Sequence, residues 1–121
     1  MAIEFHCTIE DTLLLVKTSG YDESLEEVQQ YGLALIQACQ EHGVTRVLCD
    51  ESELEYRLGT LDIFESAAFM SQAAPEVARA AIVCNPRHAA DAQFWETVAV
   101  NRGLQVRFFP DIEKARAWLA A

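Results

Sequence analysis

Basic residues are scarce in this chain: nine Lys and Arg stand against 19 Asp and Glu, a formal net charge of −10 over 121 residues. Such a field repels phosphate backbones and anionic headgroups, which argues against nucleic acid and against charge-driven membrane binding. Long hydrophobic runs are missing too, and no stretch approaches the roughly 20 apolar residues of a membrane-spanning helix. No basic lead precedes the first apolar segment of "MAIEFHCTIEDTLLLVK", so it does not read as a secretory leader, and a cytoplasmic location is expected. With three prolines and five glycines there is no linker or low-complexity segment. The four cysteines (Cys7, Cys39, Cys49, Cys84) are scattered singly. They lack CxxC or zinc spacing and are expected to be small buried hydrophobes in a reducing compartment. No metal or cofactor motif is read.

What is present is a globular composition, 51% hydrophobic, of a length that suits one domain over 1–121. Residues 2–9 and 12–18 are β-prone runs joined by a short "ED", which predicts a β-hairpin. Ser24 followed by Glu27 has the capping-box arrangement, and apolar positions at helical spacing then predict a helix over 25–42, stopped by Gly43. "TRVLCD" (45–50) predicts a buried strand. An acidic connection carrying Asp50, Glu51, Glu53 and Glu55 follows, and Thr60 is expected to cap a helix that Pro75 closes. Residues 78–84 predict a strand, "NPRH" a connection, and 89–103 a helix ended by Gly103. Residues 104–109 predict a strand, and Asp111 caps a last helix. The order ββαβαβαβα implies an α/β fold with a mixed, mostly parallel sheet and right-handed crossovers.

The tail "FWETVAVNRGLQVRFFPDIEKARAWL" (94–119) resembles the C-terminal half of SpoIIAA-like proteins, bacterial domains of the STAS superfamily also labelled STAS/SEC14. The resemblance is carried by Arg102-Gly103 at a helix end, the strand "VRFF", then Asp111, Ala115 and "AWL" at 117–119. These are packing and capping residues: a helix stop, an N-cap, and an apolar wedge with Trp118 expected to be buried against the sheet. The resemblance implies a non-catalytic regulatory or protein-interaction module with a protein partner or itself as partner, as a homodimer. In the better-known STAS proteins, the anti-sigma-factor antagonists, a serine of a D-S-S-G-like motif at the helix start after the central strand is phosphorylated. Here "DESELEYRLGTLD" offers only Ser52 and Thr60 as counterparts, without D-S-S-G and with a longer connection.

Other chemistry is weighed against plainer readings. The acidic connection matches no EF-hand loop and reads as solvated rather than metal-binding. Arg87 and His88, at a strand's carboxyl end before a helix, could hold an anion; a turn with a solvated Arg is the plainer reading. No nucleophile elbow or triad is legible, so no enzyme is expected. The helix after Thr60 has an apolar arc too wide for one sheet face. Ile63, Phe69 and Met70 are therefore candidate interface residues, with Phe69 expected on the polar side. The alternative function is a binder of a small apolar, lipid-like or anionic ligand, since the SEC14-type label of the relatives implies a hydrophobic cavity.

Overall fold

The computed structural model describes residues 2–75 and 77–121. Ten elements follow in the expected order: β1 Ile3–Glu10, β2 Leu13–Asp22, α1 Leu25–His42, β3 Arg46–Tyr56, α2 Thr60–Ala73, β4 Arg79–Cys84, a 3-10 turn Pro86–His88, α3 Ala89–Asn101, β5 Val106–Phe109 and α4 Ile112–Ala120. The five strands form one sheet in the spatial order β1-β2-β3-β4-β5, with β1 antiparallel to β2 and every later pair parallel. The hairpin tip at Asp11 adopts a left-handed φ of 56°, a conformation that Asp tolerates better than most residues.

Two cores lie on opposite faces of this sheet. Leu35 and Cys39 of α1, Ala67 of α2, and Val98 and Ala99 of α3 pack on Leu14, Val16, Val47, Cys49, Ile82 and Val106. On the other face Ala115 and Leu119 of α4 pack on Leu48, Ala81, Val83 and Phe109. All three crossover helices therefore share one face. Successive right-handed crossovers that step one strand at a time in one direction produce this arrangement. Cys39, Cys49 and Cys84 are buried and Cys7 is partly so, in keeping with their reading as small hydrophobes.

Local chemistry sets the helix ends. Ser24 Oγ accepts from Glu27 N at 3.3 Å, but Glu27 does not complete the reciprocal half of the box; its Oε2 accepts from Ile3 N at 3.3 Å and ties β1 to α1. Gly43 ends α1 in the left-handed conformation at φ 65°. Asp111 caps α4 by accepting from Lys114 N at 2.9 Å.

Three expectations are corrected. The acidic segment after Asp50 is not a connection, because β3 continues to Tyr56, paired with β2 through Ser19↔Glu53, Gly20↔Leu54, Tyr21↔Glu55 and Asp22↔Tyr56. A register shift opposite Lys17/Ser19 marks a β-bulge that places one extra residue in β3. Thr60 does not cap α2; it is the first helical residue, and Gly59 is the N-cap without a side-chain bond. The reason lies upstream, where Asp22 Oδ1 accepts from Arg57 N at 2.7 Å and Leu58 N at 3.2 Å and so fixes the approach to the helix. Trp118 is only partly buried: its ring lies 5.8 Å from that of Phe109, and its carbonyl accepts from Arg79 Nη1 at 2.5 Å. The fully inserted wedge is Leu119.

Candidate functional site

The bulge decides what faces inward. Val47, Cys49 and Glu51 point to the three-helix side; the extra residue then shifts the alternation, and Leu54 and Tyr56 point there instead. Glu51 is thus carried under α1 and α2, where it is 7% exposed. A buried carboxyl group needs hydrogen-bond partners, and Glu51 has two. Tyr31 of α1 donates to Oε2 at 2.8 Å, and Tyr56 donates to Oε1 at 2.6 Å. Tyr31 Oη also lies 2.8 Å from the buried Thr18 hydroxyl. A phenol has one proton to give, so while Tyr31 serves Glu51 it accepts from Thr18.

Burial pushes the Glu51 carboxyl up to about 7, against the lowering effect of the tyrosine bonds and with the Asp22 and Asp50 charges adding to the rise. Asp22 is raised as well, chiefly by burial, while its bonds from the Arg57 and Leu58 amides and the charge of His88 oppose the rise. Both tyrosines are driven well above the usual phenol range by burial and by the adjacent Glu51 carboxylate, so they remain donors at neutral pH.

This cluster forms the polar end of a partly open cavity of about 150 Å³ between the sheet and α1, α2 and α3. Its walls are mostly apolar, with Leu35, Val47, Leu54, Ile63 and Met70 among them. Asp22, Glu51, Ser66, Asp91 and the aromatic residues Tyr31, Tyr56 and Trp95 supply the polar atoms. Trp95 Nε1 donates to Ser66 Oγ at 3.1 Å, fixing the indole between α2 and α3. α1 comes close to α2 at Gly32, where a Cβ would run into Met70 Sδ. The chemistry on offer is a proton held at one carboxyl oxygen and an apolar chamber beside it.

The other acidic residues of β3 lie on the opposite face from Glu51. Asp50 Oδ1 accepts from Ser52 N at 3.1 Å and Ser52 Oγ at 2.6 Å, and Asp50 and Glu53 flank Lys17 at 3.5 and 3.9 Å. Glu55 pairs with Arg57 at 3.2 Å. Among the described residues no three of the His, Cys, Asp and Glu side chains come together as a set that could hold a metal ion.

Ser52 is partly buried with its hydroxyl engaged, whereas Thr60 is exposed. Arg87 is exposed; its amide donates to Asn85 Oδ1 at 3.0 Å and its Nε to His88 Nε2 at 3.3 Å. His88 turns to Tyr56, accepting from its amide at 3.3 Å with ring centroids 5.0 Å apart. The structure therefore joins His88 to the cavity wall through Tyr56. Of the candidate interface residues, Ile63 is buried, Met70 is turned largely inward against Gly32, and Phe69 is half-buried rather than on an open polar side. The exposed apolar side chains of α2 are Leu61, at 69%, and Phe64. Thr18, Asp22, Tyr31, Glu51 and Tyr56 lie on two strands and a helix, and no motif in the sequence links them as a site.

A mixed five-stranded sheet with three helices on one face and one on the other defines an α/β fold. The SpoIIAA-like family profile matches residues 16–120, and the chain belongs to that family. No curated protein matches its sequence. Among solved structures it is similar to an anti-sigma factor antagonist from Mycobacterium paratuberculosis, with TM-score 0.63 and 15% identity over 98% of this chain and 95% of that one. It is also similar to an uncharacterized protein with a SpoIIAA-like fold from Shewanella loihica, with TM-score 0.61 and 19% identity over 98% and 94%. A third is the anti-sigma factor antagonist SpoIIAA in its unphosphorylated form, with TM-score 0.54 and 13% identity over 98% and 99%. At these identities the likeness is one of fold.

Proposed function

We propose that this chain is a non-catalytic regulatory module that acts by contact with a protein partner, a second copy of itself included. The observation that carries this reading is the uncovered start of α2. Leu61 and Phe64 lie exposed at the carboxyl end of β3, next to the exposed Thr60. Apolar side chains gathered at one helix end are the composition that contact surfaces use. Thr60 rather than Ser52 is the residue open to modification there, and a phosphate would sit on the first turn of α2 beside that apolar contact. The test compares wild type with the Leu61→Glu/Phe64→Glu variant in cells of the source organism. Proteins that co-precipitate with wild type are lost from the variant at unchanged melting temperature, and light scattering reports any loss of self-association. Equal recovery with both proteins, together with equal mass in solution, rules out this surface.

The cavity favours a second reading, in which the domain binds a small molecule. An apolar chamber with a few convergent polar groups is the usual form of such sites. Native mass spectrometry of the purified protein would detect a retained ligand as added mass that disappears on denaturation.

A further inference from the structure

The polar end of the cavity is acidic, and His88, whose charge acts on Asp22, stands behind Tyr56 outside the lining. Asp22, Glu51 and Asp91 line it, and among the described residues no Lys, Arg or His does. The five partners that Glu51 and Asp22 engage are two phenols, two backbone amides and, through Tyr31, the Thr18 hydroxyl, all of them neutral. Each oxygen of Glu51 takes one tyrosine and keeps further acceptor capacity. A buried carboxylate without a cation beside it is costly; a proton relieves that cost by neutralising it, and a cationic guest that competes with the proton relieves it with the carboxylate ionised. Tyr31, Tyr56 and Trp95 also line the cavity, and aromatic rings are groups to which an ammonium is attracted. Size narrows the choice further, since a cavity of about 150 Å³ accommodates a body on the scale of benzene. Leu58 and Asp91, which line the cavity, are both partly exposed.

We infer that the Glu51 end of the cavity is a binding site for a small hydrophobic amine. The ligand has an apolar body of about one ring, and its ammonium group donates to Glu51 between Tyr31 and Tyr56. The inference rests on the second reading above, that the cavity takes a small molecule. Asp22 and Asp91 supply the surrounding negative field, while Leu54, Ile63 and Met70 hold the apolar body.

Calorimetric titration with benzylamine and with benzyl alcohol, its neutral counterpart of nearly equal shape, tests the assignment. The expected result at pH 8 is binding of the amine at least tenfold tighter than the alcohol, with the preference lost in Glu51→Gln. Binding to Glu51 competes with a proton, so amine affinity falls at least tenfold between pH 8 and pH 5 while that of the alcohol stays constant. This pH comparison uses wild type alone and decides the question if the Glu51→Gln variant does not fold. Equal affinity for the two probes, or amine binding indifferent to pH, overturns the amine assignment and leaves the cavity as a site for neutral ligands. Failure of both probes to bind overturns the amine assignment together with the small-molecule reading.

Discussion

The Tyr31 hydroxyl lies 2.8 Å from Glu51 Oε2 and 2.8 Å from Thr18 Oγ1, so it can donate in only one of the two directions at a time. While Glu51 is ionised, the proton of Tyr31 must point to it. Once Glu51 is protonated and donates, Tyr31 can turn to Thr18. The protonation state of one buried carboxyl group therefore sets the polarity of a chain of hydrogen bonds running from α1 into β2.

That coupling has a stability signature. The Glu51 carboxyl is raised from its ordinary 4.5 to about 7 in the folded state. The folded protein thus holds a proton that the unfolded chain releases, and the associated stability is full below pH 4.5 and lost as the pH rises through 7. At about 1.4 kcal/mol per pH unit, the loss amounts to about 3 kcal/mol. Asp22 is raised too and contributes with the same sign. Urea titrations should therefore show the stability of wild type declining relative to Glu51→Gln between pH 5 and pH 8. Parallel curves would mean that Glu51 is not the titrating group.

Tyr56→Phe removes the 2.6 Å donor to Glu51 Oε1. The ionised carboxylate suffers most from that loss, so the variant should be destabilised by about 1–3 kcal/mol at pH 8 and by less at pH 5. Chemical denaturation at the two pH values measures the difference, and an equal cost at both would place Tyr56 outside the proton-linked cluster.

The α4 wedge provides a test of packing. Leu119 is 4% exposed whereas Trp118 is partly open. Leu119→Ala should cost about 2–5 kcal/mol, and Trp118→Ala should cost less despite the larger side chain removed. Denaturant midpoints in the reverse order would mean that Trp118 carries the packing of this helix.

Calcium or magnesium at millimolar concentration should leave the melting temperature unchanged. A ligand at a hundredfold excess over its dissociation constant adds about 2.7 kcal/mol, but Asp50, Glu53 and Glu55 are already engaged with Ser52, Lys17 and Arg57. A rise of several degrees in a thermal melt would contradict that engagement.

The order of elements, the bounds of α1 and the caps Ser24 and Asp111 were all readable in the sequence, because hydrophobic periodicity and capping chemistry are local. The candidate site was hidden by one residue. Strict alternation after Val47 and Cys49 reaches Glu51 and then fails, since the bulge moves the inward positions to Leu54 and Tyr56. The segment "ESELEY" consequently reads as a polar loop. A glutamate continuing the inward face of Val47 and Cys49 was the available signal, and recognising it required allowing a two-residue step. The neighbour of Met70 was hidden for a different reason: it packs beside Gly32 of α1, a contact between distant segments that helical spacing alone does not reveal.

β3 outruns its neighbour on one side. β4 pairs with it only from Arg46 to Glu51, and beyond that point β3 is flanked by β2 alone, with the Tyr56 amide held by His88. The two halves of the strand should differ in amide hydrogen exchange. Amides of Val47–Cys49 should be released only with the whole sheet, whereas those of Glu53–Tyr56 should exchange through a smaller opening that peels the overhang away. Glu51 sits at the boundary and Tyr56 on the overhang, so this local peeling would lift the Tyr56 side of the chamber while leaving the five-stranded sheet intact.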